Sequence, residues 1–186
     1  ALCIVDTGGS HSDLTDEYAA VRKEMEAVAA QFGQKTLRDV NPALLNERLP
    51  AVREAVGDRA LLRAKHFYAD NERVLKQARA LNSGDFEQFK KLIIESGRSS
   101  YMFNQNVYTS KNPREQQVAL ALCLSEEILA GRGAWRVHGG GFAGTIQAFV
   151  PLDMLEDYKA RMESIFRANA CYVLSVRPVG GVKILG

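Results

Sequence analysis

The run His138-Gly139-Gly140-Gly141-Phe142-Ala143-Gly144-Thr145 joins two short apolar segments, Ala134 to Val137 and Thr145 to Val150. Four glycines between positions 139 and 144 are costly to order, so they mark a backbone that needs positive φ or a close neighbour. Strand-like segments separated by such a turn read as a hairpin. Two readings of the turn stay open. Successive N–H groups in a glycine turn can form a concavity for phosphate or carboxylate; a plain hairpin loop needs no ligand.

Some classes are excluded by what surrounds the run. No Gly-Lys-Ser/Thr follows it, so it is not a Walker A loop. The His-Gly-Gly-Gly oxyanion segment of some esterases requires a Gly-x-Ser-x-Gly elbow. The nearest approach is Gly8-Gly9-Ser10-His11-Ser12, with Ser12 in the place of the last glycine. Ser10, His11 and Asp13 are too close in the chain to converge as a triad, and a capped helix start explains them better.

Along the chain, Leu2 to Val5 reads as a buried strand and residues 7–10 as a turn. A helix begins near Ser12 or Asp13, either of which can cap it. Leu14, Tyr18, Val21, Met25, Val28 and Phe32 share one of its faces, and Gly33 ends it. Residues 36–58 are short pieces broken by Pro42, Pro50 and Gly57. Arg59 to Leu81 is a long helix whose apolar side runs from Leu61 through Phe67, Val74 and Leu75 to Leu81. A helix capped by Asp85 follows, closed by Gly97; residues 99–112 read as a polar, aromatic loop. Pro113 to Ala130 is helical with Pro113 at its start and Gly131 past its end. After the hairpin, Pro151 opens a helix, Cys171 to Val176 is a strand, and Val182 to Leu185 offers a last one. The order of strands and helices is that of an α+β, ferredoxin-like split βαβ antiparallel sheet, with a large helical insertion, roughly residues 36–112, in the first crossover.

The 186 residues, 46% hydrophobic and 25% charged, suit one globular domain. A net charge of +2 argues for neither nucleic acid nor a membrane surface, and no apolar stretch approaches the length of a membrane span. The chain starts without Met, directly in a strand, which reads as a piece of a longer protein or an artificial boundary. Cys3, Cys123 and Cys171 lie in apolar contexts and read as buried free thiols; His11, His66 and His138 have no metal-ligand spacing. With no secretory signal, the cytosol is the expected compartment.

Several motifs in one order resemble the C-terminal half of the GHMP small-molecule kinases, the galactokinases most closely. That family carries a Gly-Gly-Gly-Phe-Gly-Gly-type loop between two strands, here Gly139 to Gly144. Asp16-Glu17-Tyr18 followed by Arg22 resembles its Ser-Glu-Tyr segment, and Arg63-Ala64-Lys65-His66 its Arg-Ala-x-His segment. Gly84-Asp85-Phe86-Glu87-Gln88-Phe89, then Glu95-Ser96, resembles its Gly-Asp-(Phe/Tyr) and Glu-Ser-His stretch. There are departures. His138 stands where Thr is common, Ala143 replaces a glycine, Gly97 stands where His is frequent, and residues 104–112 replace an acidic stretch. The family's Gly-Glu-His-Thr-Asp-Tyr segment, its Gly-Leu-Ser-Ser-Ser-type phosphate loop, and its Cys-Gly-x-x-Asp-Gln segment with the catalytic Asp do not occur.

The resemblance implies that residues 1–186 form a GHMP kinase C-terminal domain whose partner is an absent N-terminal half. It implies phosphoryl transfer from ATP, with Mg²⁺, to the C1 hydroxyl of galactose in the complete enzyme, and no catalytic residue or metal ligand in this chain. It assigns a sugar contact to Tyr18 and a phosphate-site loop to His138, Gly139, Gly140, Gly141, Phe142, Ala143 and Gly144. Packing of the loop against the other domain, and of Tyr18 in the core, are the structural alternatives. Arg22 reads as a salt-bridged surface residue. Another kinase of the superfamily, or a free-standing small-anion-binding module, are the rival functions.

Overall fold

A computed structural model describes residues 1–9 and 13–181. Among these, four strands form one sheet: β1 (Leu2–Asp6), β2 (Ala134–His138), β3 (Thr145–Phe149) and β4 (Cys171–Leu174), in the order β2-β3-β1-β4. All neighbouring pairs are antiparallel. Each crossover, β1 to β2 and β3 to β4, skips one strand, which is the split βαβ order expected from sequence. The suggested strand at Val182 to Leu185, like Ser10, His11 and Ser12, lies outside the described residues.

The first crossover carries α1 (Thr15–Ala30), α2 (Pro42–Glu47), α3 (Leu49–Val56), α4 (Asp58–Asn82), α5 (Phe86–Ser99) and α6 (Gln117–Leu129); the second carries α7 (Leu155–Ile165). Strand alternation puts Cys3, Val5, Val137, Ile146 and Ala148 on one sheet face, where they pack with Val118, Leu124 and Leu129 of α6 and Tyr158 and Met162 of α7. A second core joins α1, α3 and α4 through Val28, Val52, Leu61 and Ala64.

Several boundaries differ from the sequence reading. No side chain of Leu14, the residue before α1, caps that helix, and Asp13 lies outside it. Gly97 does not close α5 but sits inside it, because a Cβ there would come 2.9 Å from the Cβ of Arg136; it lets α5 lie close against β2. Residues 100–104 continue as a π-helical turn rather than a loop. α6 begins at Gln117, not at Pro113. The apolar side of α4 is buried mainly in its first half and again at Ala80, whereas Val74, Leu75 and Leu81 are exposed. Cys3 and Cys171 are buried, but Cys123 is exposed on α6.

Candidate functional site

The glycine run is a hairpin loop between β2 and β3, held from three separate parts of the chain. After β1, both the backbone N–H and the hydroxyl of Thr7 donate to the Gly144 carbonyl at 2.8 Å. From α1, the Tyr18 hydroxyl donates to the Gly141 carbonyl at 2.6 Å, and its ring meets Phe142 edge-on with centroids 5.4 Å apart. From the segment after the π-helical turn, the Asn106 carbonyl accepts from the Phe142 N–H at 2.6 Å, and the Asn106 amide donates to the Gly140 carbonyl at 3.0 Å. Leu14, Phe142 and Ala143 form a small buried cluster with Tyr18 and Val21 beside them.

These contacts explain why glycine stands where it does. A Cβ at Gly140 would come 2.8 Å from the Tyr18 ring. Gly141 has φ +83°, and a Cβ there would fall well inside 3.0 Å of the Asn106 carbonyl oxygen. Phe142 is not glycine yet has φ 58°. It is the centre of a tight turn in which the Ala143 N–H donates to the Gly141 carbonyl at 2.7 Å. A bulky residue in that conformation is strained, and the clamps on both sides hold it there. Ala143, the departure from the family pattern, places its Cβ toward Gly9, where an added Cβ would sit 3.1 Å away.

Of the residues singled out by sequence, Tyr18, Gly140, Gly141, Phe142, Ala143 and Gly144 come together. His138 stands apart: exposed at the neck of the hairpin, its Nδ1 is 3.0 Å from the Thr145 hydroxyl. Burial pushes the Tyr18 phenol above its usual ionisation range, while the Ala143 backbone N–H pulls the other way. Arg22 pairs with Glu26 at 2.6 Å on the surface, as its sequence context suggested. Phe142 is a wall of two clefts. One, of about 500 Å³, is bounded also by Glu17, Arg59, Tyr101, Gln105 and Tyr108. The narrower one, of about 200 Å³, takes in Asp13, Lys111, Asn112 and Ala143.

Of the other motifs behind the resemblance, Arg63 reaches the segment that holds the loop, while Ser96 and His66 join α4 to α5. Arg63, with 1% of its side chain exposed, pairs with Glu24 of α1 at 2.8 Å and donates from Nε to the Asn104 carbonyl at 3.0 Å. Arg59 holds the same Glu24 at 2.5 Å. Ser96 donates to Asp70 at 2.6 Å and accepts from Arg136 at 2.7 Å. His66 is buried against the Ser99 hydroxyl, 2.9 Å from its Nδ1. Sequence reasoning missed Thr7 and Asn106. Their contacts run through backbone carbonyls of distant segments, which leave no motif.

His66 supplies a pH dependence. Burial lowers its pKa, Asp70 opposes that, and Arg136 and Arg73 add to it. A folded-state pKa below the unfolded one means that the unfolded chain binds the extra proton. Stability is then complete above the unfolded value of about 6.5 and falls as pH drops below it toward the folded value. Urea unfolding from pH 7.5 down to 5 is expected to lose up to about 1.4 kcal/mol per pH unit from this one group. His66→Gln, which can keep a bond to Ser99, is expected to flatten that slope.

No protein-family model matches the chain. It is 31% identical over 159 residues to the galactokinase of Mannheimia succiniciproducens, covering 86% of this chain and 39% of that protein. It is 32% identical over 156 residues to that of Actinobacillus pleuropneumoniae serotype 3, covering 84% of this chain and 38% of that protein. The chain thus spans about two fifths of the length of these relatives. Among solved structures, the Lactococcus lactis galactokinase complexed with galactose superposes with a TM-score of 0.63 at 20% identity, over 89% of this chain and 41% of that one.

Proposed function

We propose that this chain, a galactokinase C-terminal domain in sequence and fold, supplies the wall of a sugar-kinase site that faces the transferring phosphoryl group. The carrying observation is the preorganised loop: Thr7, Tyr18 and Asn106 fix Gly140 to Gly144 from three directions. Phosphoryl transfer asks little covalent chemistry of a protein; it asks for positioning and for dipoles already aimed at the developing charge. A backbone held rigid in advance meets that need without reorganising during the reaction.

In this reading the complete polypeptide moves the γ-phosphoryl group of ATP to the C1 hydroxyl of galactose, in the cytosol. Residues outside this chain would hold Mg²⁺, which would supply neutralisation of charge on the phosphates. The N-terminal part brings the Asp that takes the acceptor proton. In this reading a phosphate would meet loop N–H groups other than those of Phe142 and Ala143, which are bonded to the Asn106 and Gly141 carbonyls. Tyr18 links loop and sugar. Its hydroxyl proton is committed to Gly141, so a sugar hydroxyl would meet its oxygen as donor. The coding sequence upstream of Ala1 tests the assignment. A continuous frame with Gly-Glu-His-Thr-Asp-Tyr and Cys-Gly-x-x-Asp-Gln is expected. A start codon at Ala1 with no such frame would overturn it in favour of an anion-binding module.

A further inference from the structure

We infer that Asn106 is the positioning residue that sets the conformation of the Gly139–Gly144 loop, an inference that rests on the reading of that loop as the phosphate-facing wall. Asn106 belongs to none of the motifs behind the family resemblance. It lies 34 residues before Gly140 in sequence, yet it grips the loop twice, through its backbone carbonyl on the Phe142 N–H and its side-chain amide on the Gly140 carbonyl. Gly141 packs against the same carbonyl so closely that no side chain fits between them. Those contacts determine the turn in which Phe142 takes its strained φ of 58°.

The residue is 5% exposed, and its Oδ1 is buried with no donor. An unsatisfied buried acceptor is destabilising, so the side chain carries a stability penalty. Turning the amide over would set Oδ1 against the Gly140 carbonyl, acceptor against acceptor. What the side chain contributes is therefore the nitrogen's grip on Gly140. Asn106 is itself fixed from behind. Gln105 takes a left-handed φ of 54° with its N–H on the Ser100 carbonyl at 2.8 Å, and the Asn104 carbonyl accepts from buried Arg63.

The test is site-resolved amide exchange in the 186-residue chain carrying Asn106→Ala or Asn106→Asp. At neutral pH both are expected to lower protection of the Phe142 and Ala143 amides by about tenfold, the scale of one hydrogen bond, while the β1–β3 ladder is unchanged. On acidification the carboxyl of the Asp variant becomes a donor to Gly140, so its loop protection should return; the Ala variant should not recover. Unchanged loop protection, a loss spread evenly over the sheet, or an Asp variant indifferent to pH would overturn the inference. In the complete kinase, Asn106→Ala should lower kcat about tenfold with KM for galactose held within about twofold. Loss of loop protection with kcat intact would uphold the positioning role and contradict the phosphate-facing reading of the loop.

Discussion

Gly141→Ala is expected to cost the domain about 3 kcal/mol or more, a large part of the stability of an ordinary domain. Two independent penalties meet at this position. The backbone sits at φ +83°, a conformation that costs a residue with a side chain about 1–2 kcal/mol. The new methyl would also collide with the carbonyl of Asn106, and overpacking of this kind typically costs about 1–3 kcal/mol. That carbonyl cannot retreat without giving up the Phe142 N–H at 2.6 Å. Gly139→Ala is the control, because Gly139 has φ +73° but nothing lies within 4 Å of where its methyl would stand. Only the conformational penalty applies there, about 1–2 kcal/mol. Urea unfolding of both variants beside the parent gives the difference. Equal costs would mean that the contact with Asn106 does not constrain the loop.

The second large effect is expected at Arg63. Arg63→Met should destabilise by about 3 kcal/mol, at the low end for a broken buried pair, because Glu24 keeps Arg59 at 2.5 Å. The loss comes from two groups left behind: Glu24 loses its 2.8 Å partner, and the Asn104 carbonyl loses its 3.0 Å donor. Pairing the change with Glu24→Met should recover part of the loss, since Arg59, which then also loses Glu24, is about half exposed and can be solvated, leaving the Asn104 carbonyl as the buried group without its donor. A double variant no more stable than Arg63→Met would place the cost in packing instead of charge. Arg63 acts at a distance from the glycine loop, through Asn104 and then Asn106, so loop protection should fall in this variant too.

The sheet was legible in the sequence because its signals are local. The glycine turn between two apolar segments specified the β2–β3 hairpin, and the apolar run Leu2 to Val5 marked β1, whose Cys3 and Val5 lie on the buried face. Asp85 capped its helix as its residue type suggests, accepting from the Gln88 N–H at 2.9 Å. Other features depend on what lies across the fold. Gly97 reads as a helix terminator in one dimension, but it is glycine because β2 passes 2.9 Å from where its Cβ would be. Val74, Leu75 and Leu81 continue an apolar stripe that nothing in the described residues covers. The stretch from Ser99 onward looked like a loop because it is polar and aromatic. Arg63 binding the Asn104 carbonyl and the glycine loop binding Asn106 order it.

The same distinction runs through the candidate site. Tyr18 and the glycine loop could be named from a motif, and their direct contact at 2.6 Å brings them into one place. Thr7 and Asn106 could not, since what they offer the loop is a hydroxyl, an amide and backbone groups common to any sequence. The resemblance therefore identifies the loop, and the structure identifies what holds it.

Transfer of the γ-phosphoryl group from MgATP to galactose by the complete polypeptide that contains this domain, with and without Gly141→Ala, tests the central claim most directly. The account predicts galactose 1-phosphate from the parent protein and a loss of at least about a hundredfold in kcat/KM from the variant, the scale of losing one preorganised contact to a transition-state oxyanion. A parent protein that leaves galactose untouched, or a folded variant as fast as the parent, would contradict it.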